Sequence, residues 1–403
     1  MTGSRTHSAP VLVTRRPQVA AAAVALLLLA IFAWASPASA RPAWPVLERG
    51  LSFAERTAAP HGIAGDRRFV FVTEPGIEQP GGQGRVVVLD RRTGRAIGEL
   101  PPPPGGFKLP FTLRVPRPGQ LAVLDNRGFP PVGPPAVYEY RYRTEPGRFR
   151  AQLTHTFDFA GLPLFFAEDL ETLPNGEYVV SESIVGALWL VDRDGRISPG
   201  LVPSGRAPLP KLGPCGFPSS FEIGGLPFAP PGLFAPGVGS LAVRGGHLYF
   251  GTSCLGGIHR LSIATLRDAS RPAEDRVGEI ETVSPRPKGT PAETLKGLSF
   301  NRWDRKDPYL YTGDPFRLRL LRIHARTGAR KVVSADARLF NFTVATAFLP
   351  PARGRATGPL LAASDQEYRW RGLNGALDQD AFQRPFLVTK VVPRRVPRAR
   401  GQR

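Results

Sequence analysis

Residues Ala167 to Ile197 read AEDLETLPNGEYVVSESIVGALWLVDRDGRI. Three short apolar runs, Leu170 to Leu173, Tyr178 to Val180 and Ala187 to Val191, are separated by Pro174-Asn175-Gly176 and by the polar patch Ser181-Glu182-Ser183. Runs of this length with this punctuation predict a small antiparallel meander. A lone meander cannot bury its apolar face, so the stretch calls for partners of the same kind.

The chain supplies six such units. Their first strands begin Gly62-Ile63-Ala64, Thr112-Leu113-Arg114, Asp169-Leu170-Glu171, Ser240-Leu241-Ala242, Gly297-Leu298-Ser299 and Thr343-Val344-Ala345, each a small or polar residue followed by an aliphatic one. Second strands end at Glu74, Asp125, Glu182, Ser253, Asp314 and Asp365, at offsets of 12, 13, 13, 13, 17 and 22 from the small residue. Third strands are expected at Arg85 to Asp90, Ala136 to Tyr140, Ala187 to Asp192, Gly257 to Ser262, Arg317 to Ile323 and Pro385 to Val391. Fourth strands are fainter, for example Ala96 to Leu100 and Gly278 to Thr282. Six antiparallel units of roughly fifty residues predict an all-β, six-bladed β-propeller over residues 60–393. Residues 41–59 are expected to close the ring against the last blade.

Composition agrees. The 403 residues are 42% hydrophobic and 21% charged, with 44 Gly and 44 Pro, which suits many short strands joined by turns. Arg5, Arg15 and Arg16 precede an apolar run from Val19 to Trp34, and Ala38-Ser39-Ala40 offers a cleavage site. This predicts a signal peptide over 1–40 and a secreted or periplasmic protein, the alternative being an uncleaved anchor helix. Thr14-Arg15-Arg16 faintly resembles a twin-arginine signal. The net charge of +20 falls to about +17 without the three leader arginines. Residues 394–403 read as a disordered basic tail. The basic residues form no nucleic-acid module, so nucleic acid is not an expected partner, whereas anionic envelope polymers are. No apolar run after Ala40 is long enough to span a membrane.

Cys215 and Cys254, in an oxidising compartment, are expected to form a disulfide, with two buried thiols as the alternative. Residues 203–236 form an insertion dense in Pro, Gly, Leu and Phe, expected to be a flap without strands over one propeller face, or else a surface loop.

Glu168-Asp169-Leu170, Leu173-Pro174-Asn175-Gly176, Tyr178 to Glu182 and Leu188 to Gly195 together resemble a blade of the senescence-marker-protein, gluconolactonase, strictosidine-synthase and NHL-repeat superfamily. The resemblance implies that the residue before each small position faces the central channel. It also implies that lactonases of the group hold calcium or zinc there on Glu, Asn and Asp, to polarise a carbonyl and activate water. Carried over, the positions are His61, Phe111, Glu168, Gly239, Lys296 and Phe342. Glu168 alone is of the metal-binding type, so a divalent cation, calcium, is expected on Glu168 or else no cofactor. His61 suits a transition metal, and Asn341 joins the set if the strand slips by one residue.

The candidate catalytic residues are therefore Glu168, Lys296 and His61, with Phe111, Phe342 and Asn341 lining the ligand. Phenyl rings around Glu168 would raise its pKa and Lys296 would lower it, a balance suited to a general base. The alternative is a structural Glu168 to Lys296 ion pair. The carboxylates Glu74, Asp125, Glu182, Asp314 and Asp365 recur in the repeat, which points to turn amides at the strand ends. Gly251 to Gly256 lacks the spacing of a nucleophile elbow, and His155, His247, His259 and His324 lack metal-ligand spacing. Two functions fit: a small-molecule hydrolase of lactones or esters, and a non-catalytic NHL-like propeller that binds a ligand or an envelope partner. Mass analysis of the exported protein is expected to find Arg41 at the N-terminus and no titratable thiol after unreduced denaturation; a retained leader or two free thiols would count against those readings.

Overall fold

The computed structural model describes residues 47–393 apart from 79–81, 129–132, 146–147, 206, 231–235, 254, 291, 354 and 356. The leader, the basic tail and Cys254, with its expected bridge to Cys215, lie outside the described residues. Six four-stranded antiparallel sheets form the blades of a propeller. The third, Ala167–Thr172, Tyr178–Glu182, Ala187–Val191 and Ile197–Leu201, contains the stretch quoted above. Its hairpins follow local chemistry. Gly176 takes φ +87° and donates its N–H to Leu173 O at 2.9 Å, a backbone conformation open to glycine at little cost. Asp192 accepts from the amides of Asp194 and Arg196, on either side of Gly195 at φ +86°.

The apolar runs are continuous because each blade is buried on both faces. Tyr178, Val180, Ala187 and Trp189 pack towards the second blade, whereas Val179, Leu188 and Leu190 pack towards the fourth. Alternate residues of one strand thus serve two different cores. The same division repeats around the ring, with one apolar cluster at each of the six blade junctions. The sixth blade is composite: Leu47–Arg56 pairs antiparallel with Phe386–Pro393, so its outer strand comes from the other end of the propeller chain.

The small repeat position holds neighbouring inner strands together. Thr112 Oγ1 donates to Asp169 Oδ1 at 3.0 Å, and Asp169 Oδ2 accepts from Leu241 N at 2.8 Å. Ser240 Oγ accepts from Gly297 N at 2.8 Å. A Cβ on Gly297 would lie 2.5 Å from Ala345 Cα, and one on Gly62 would lie 2.8 Å from Phe111 O. These contacts set how closely the strands crowd the axis.

Two expectations need correction. In the fourth unit the outer strand is Glu281–Ser284, displaced beyond Gly278 to Thr282 because short helices at Ile263–Arg267 and Ala273–Arg276 intervene. Ser262 caps the first of these by accepting from Thr265 N at 2.9 Å. The insertion at 203–236 is not free of strands: Phe221–Ile223 and Leu226–Phe228 form a hairpin, turned at Gly224 and Gly225, both at positive φ. None of the described helices is long and apolar enough to cross a membrane.

His259 illustrates the cost of the double-sided burial. It is 7% exposed on the strand Ile258–Ser262, and burial, then the charge of Lys211, pushes its pKa down from 6.5 to about 4. Between those values the unfolded chain takes up a proton that the folded chain refuses. Its contribution is thus complete above pH 6.5 and is lost as pH falls towards 4. His259→Gln is expected to remove about 1 kcal/mol of the stability difference between pH 7.5 and 5.5, read by urea melts. Identical pH slopes in the two proteins would contradict this.

Candidate functional site

Three of the channel-facing positions converge. Lys296 opens the inner strand Lys296–Phe300 of the fifth blade, Glu168 lies on that of the third, and His61 precedes that of the first, Ile63–Gly65. Lys296 Nζ lies 3.3 Å from Glu168 Oε1 and donates to Glu367 Oε2 at 3.1 Å. On the other side of Glu367, His61 Nε2 lies 3.3 Å from Oε1 and 3.8 Å from Asp365 Oδ2. Those two contacts are close enough for charge interaction but lack hydrogen-bond geometry, and both His61 Nε2 and Asp365 Oδ2 are buried without a hydrogen-bond partner. His61 Nδ1 lies 2.8 Å from Phe111 O, and the Phe111 ring stacks on the imidazole at 3.5 Å between centroids. A carbonyl only accepts, so Nδ1 carries a hydrogen, and the other ring nitrogen, Nε2, faces the carboxylates.

Electrostatics follow from this crowding. Burial would depress the Lys296 ammonium, but Glu367, Glu168 and Asp365 hold its pKa above the ordinary lysine value. Burial, then the nearby charge of Glu367, pushes the Asp365 carboxyl well above the usual range. Burial would raise Glu367 as well; Lys296 and then His61 overcome it and hold that carboxyl at about 2.

The cluster forms one wall of a narrow cavity whose remaining lining is largely apolar: Phe217, Phe228, Phe316, Phe342 and Leu373 beside Glu168, Lys296 and Glu367. The roof comes from the 203–236 insertion. Phe228 packs tilted and Phe217 edge-on against Phe316, at 6.2 and 5.6 Å between ring centroids. Asn374 pins the roof to the sixth blade, accepting from Ala229 N at 3.0 Å and donating to Pro227 O at 2.8 Å. Phe342, at φ +65°, reaches the cavity from a left-handed conformation that few aromatic residues adopt. A second narrow cavity, deeper in the channel, touches His61 and Glu168. The opposite mouth is a wider basin lined by Arg114, Arg244, Arg302 and Arg305.

Asn341 falls outside this arrangement. Its Oδ1 accepts from Tyr368 OH at 2.9 Å and its Nδ2 donates to Gln383 at 3.3 Å, and it does not line the roofed cavity. Phe111 contributes through its carbonyl and ring against His61, while Phe342 faces the cavity. Glu367 was not singled out from the sequence. It lies two residues past a repeat carboxylate, in the turn Glu367–Arg369, and the available signal was an acidic residue opening the longest insertion of the last unit. Asp365 was assigned to turn amides. One oxygen does accept from Glu367 N at 3.2 Å, but the other faces His61. In Asp125 and Glu182 the turn role is complete, with three amides bound by each. Glu74 and Asp314 bind arginines instead.

A calcium ion on Glu168 does not suit these residues. Hard divalent cations want six or more oxygens, and Glu168 is engaged by an ammonium amid phenyl rings.

No family model matches the chain, and no curated protein does. Solved structures do resemble it. A virginiamycin B lyase from Staphylococcus aureus is 14% identical over 78% of this chain and 81% of its own, with a TM-score of 0.45. The PQQ-bound aldose sugar dehydrogenase of Streptomyces coelicolor is 12% identical over 86% and 100%, at 0.45. A Bacteroides thetaiotaomicron protein of unknown function is 10% identical over 86% and 72%, at 0.51. At such identities the likeness concerns the propeller fold alone.

Lys296→Met is expected to cost about 3–5 kcal/mol, because it leaves buried carboxylates without their cation. Adding Glu168→Gln should return part of the loss in a denaturant melt; a loss below about 1 kcal/mol would place the ion pairs among the weak exposed kind.

Proposed function

We propose that the roofed cavity is the active site of a small-molecule hydrolase acting on a lactone or ester with an apolar body. The observation that supports this reading is the placement of Lys296 between Glu168 and Glu367 at the wall of a phenyl-lined cavity. An ammonium carries three N–H donors, one more than its two carboxylate partners. The substrate carbonyl oxygen takes the remaining donor, and the negative charge that develops there is met by a preorganised cation. Glu168 accepts a proton from a water that attacks the carbonyl carbon; the C–O bond to the leaving alkoxide breaks, and Glu168 returns the proton to it. A lactone yields a hydroxy acid, an ester an acid and an alcohol.

Glu367 keeps Lys296 charged and in place, and the Phe217, Phe228 and Phe316 rings exclude water from the polar cluster. No step passes through a metal. The gluconolactonase-like resemblance of residues 167–197 agrees with this substrate class, and the leader and basic charge agree with an exported enzyme among anionic envelope polymers. The second reading, a non-catalytic ligand-binding propeller, keeps the cavity and drops the chemistry.

Glu168→Gln is expected to lower kcat on a panel of aromatic lactones and esters by about 10²–10⁴-fold with KM little changed, its thermal melt staying near wild type. Absence of turnover by the wild-type protein on every substrate would overturn the hydrolase reading, and tight binding of the same compounds without turnover would support the second.

A further inference from the structure

Below the roofed cavity, His61, Asp365 and Glu367 bring one nitrogen and two carboxylate oxygens to within 4.8 Å of one another. All three residues are more than nine-tenths buried. Two of their donor atoms, His61 Nε2 and Asp365 Oδ2, have no hydrogen-bond partner. Leaving buried polar atoms unpaired is costly, and here the two lie 3.8 Å apart.

We infer that His61 Nε2, Asp365 Oδ2 and Glu367 Oε1 form a binding site for a zinc-like transition-metal dication.

Four observations lead there. First, the donor types are right: imidazole and carboxylate suit zinc and its neighbours, whereas calcium and magnesium prefer sites built from oxygen alone. Second, the spacing is close to that of a metal's ligands, all three donor atoms lying within 4.8 Å of one another. Ligands about 2.0–2.2 Å from a tetrahedral ion lie roughly 3.3–3.6 Å apart, and His61 Nε2 lies 3.3 Å from Glu367 Oε1 and 3.8 Å from Asp365 Oδ2. Third, the surrounding groups are already arranged as a metal site needs. The Phe111 carbonyl accepts from His61 Nδ1 and turns Nε2 inward, and Lys296 donates to the other oxygen of Glu367, leaving Oε1 for the ion. Metal-bound histidines and carboxylates are oriented by such partners. Fourth, the carboxyls of Asp365 and Glu367 crowd together beside the single ammonium of Lys296, and a dication held between them relieves that crowding.

The site belongs to this chain. Asp365 and Glu367 come from the end of the second strand and the following turn of the sixth blade, not from the blade-start positions at which the lactonase resemblance implies metal ligands. Glu168, which does occupy such a position, takes no part. The inference stands whether or not the hydrolase reading holds.

The test uses the full mature chain without an affinity tag, stripped with chelator and then titrated separately with zinc, cobalt and calcium. About one zinc per chain by elemental analysis, a thermal melt that rises with zinc, and a visible cobalt absorption band removed by zinc are expected; calcium should do none of these. Asp365→Asn, which keeps an oxygen to accept from Glu367 N, and His61→Gln should each weaken zinc binding by at least about 10–100-fold. Glu168→Gln and the exposed-site control Asp194→Asn should retain it. Zinc retained by Glu168→Gln, with or without turnover, separates this site from the hydrolase reading. Failure of the wild-type chain to take up zinc or cobalt, or unchanged affinity in both ligand variants, would overturn the inference. The wild-type cobalt spectrum decides the matter if the variants do not fold.

Discussion

The ammonium of Lys296, buried between carboxylates of two other blades, is the interaction on which the channel mouth depends. Glu168 approaches it from the third blade and Glu367 from the sixth. An unpaired charge in such a place would cost several kcal/mol, so both carboxylates depend on the ammonium between them. Their convergence requires a closed ring. The strand Leu47–Arg56 supplies the outer edge of the blade that carries Glu367, and the close backbone approach at Gly297 brings that blade's inner strand against Lys296. The sheet geometry and the charge cluster are thus one constraint.

Much of this was legible in the residues. The six small positions and the strand-end carboxylates gave the blade count, because a propeller needs the same contacts at every junction. The reason for the small position emerged only in three dimensions: Thr112, Asp169 and Ser240 hydrogen-bond to the next inner strand, while Gly62 and Gly297 leave room for it. Glu168, Lys296 and His61 were legible for the same reason. They stand next to those small positions, and a residue there faces the axis in any blade.

What was not legible came from departures from the repeat. Nothing periodic announces Glu367 or Tyr368, which sit in a long insertion of the last unit. The hairpin Phe221–Ile223 and Leu226–Phe228 was hidden by its composition: Pro227 and the Gly224-Gly225 pair read as loop, yet a three-residue strand tolerates them when its phenyl rings pack on Phe316 and Tyr368. Asn341 was placed in the ligand wall by a one-residue register argument. It instead braces Tyr368 from behind, because Phe342 takes the left-handed conformation and turns the chain there.

Repeat and site therefore use different parts of the chain. A position that recurs in all six blades is committed to holding neighbours, and any chemistry placed on it would be copied where it is useless. Asp365 marks the boundary. One of its oxygens still serves the turn, as Asp125 and Glu182 do with both of theirs, while the other faces His61. It could be released because the sixth blade is shared between the two ends of the propeller chain and carries the insertion at 366–385, whose own bonds, through Asn374, Gln366 and Gln383, organise the loop without it. The same insertion holds the roof. The acidic members Asp365 and Glu367 and the apolar cover of the cavity are thereby held by one blade, the cover through the hydrogen bonds of Asn374.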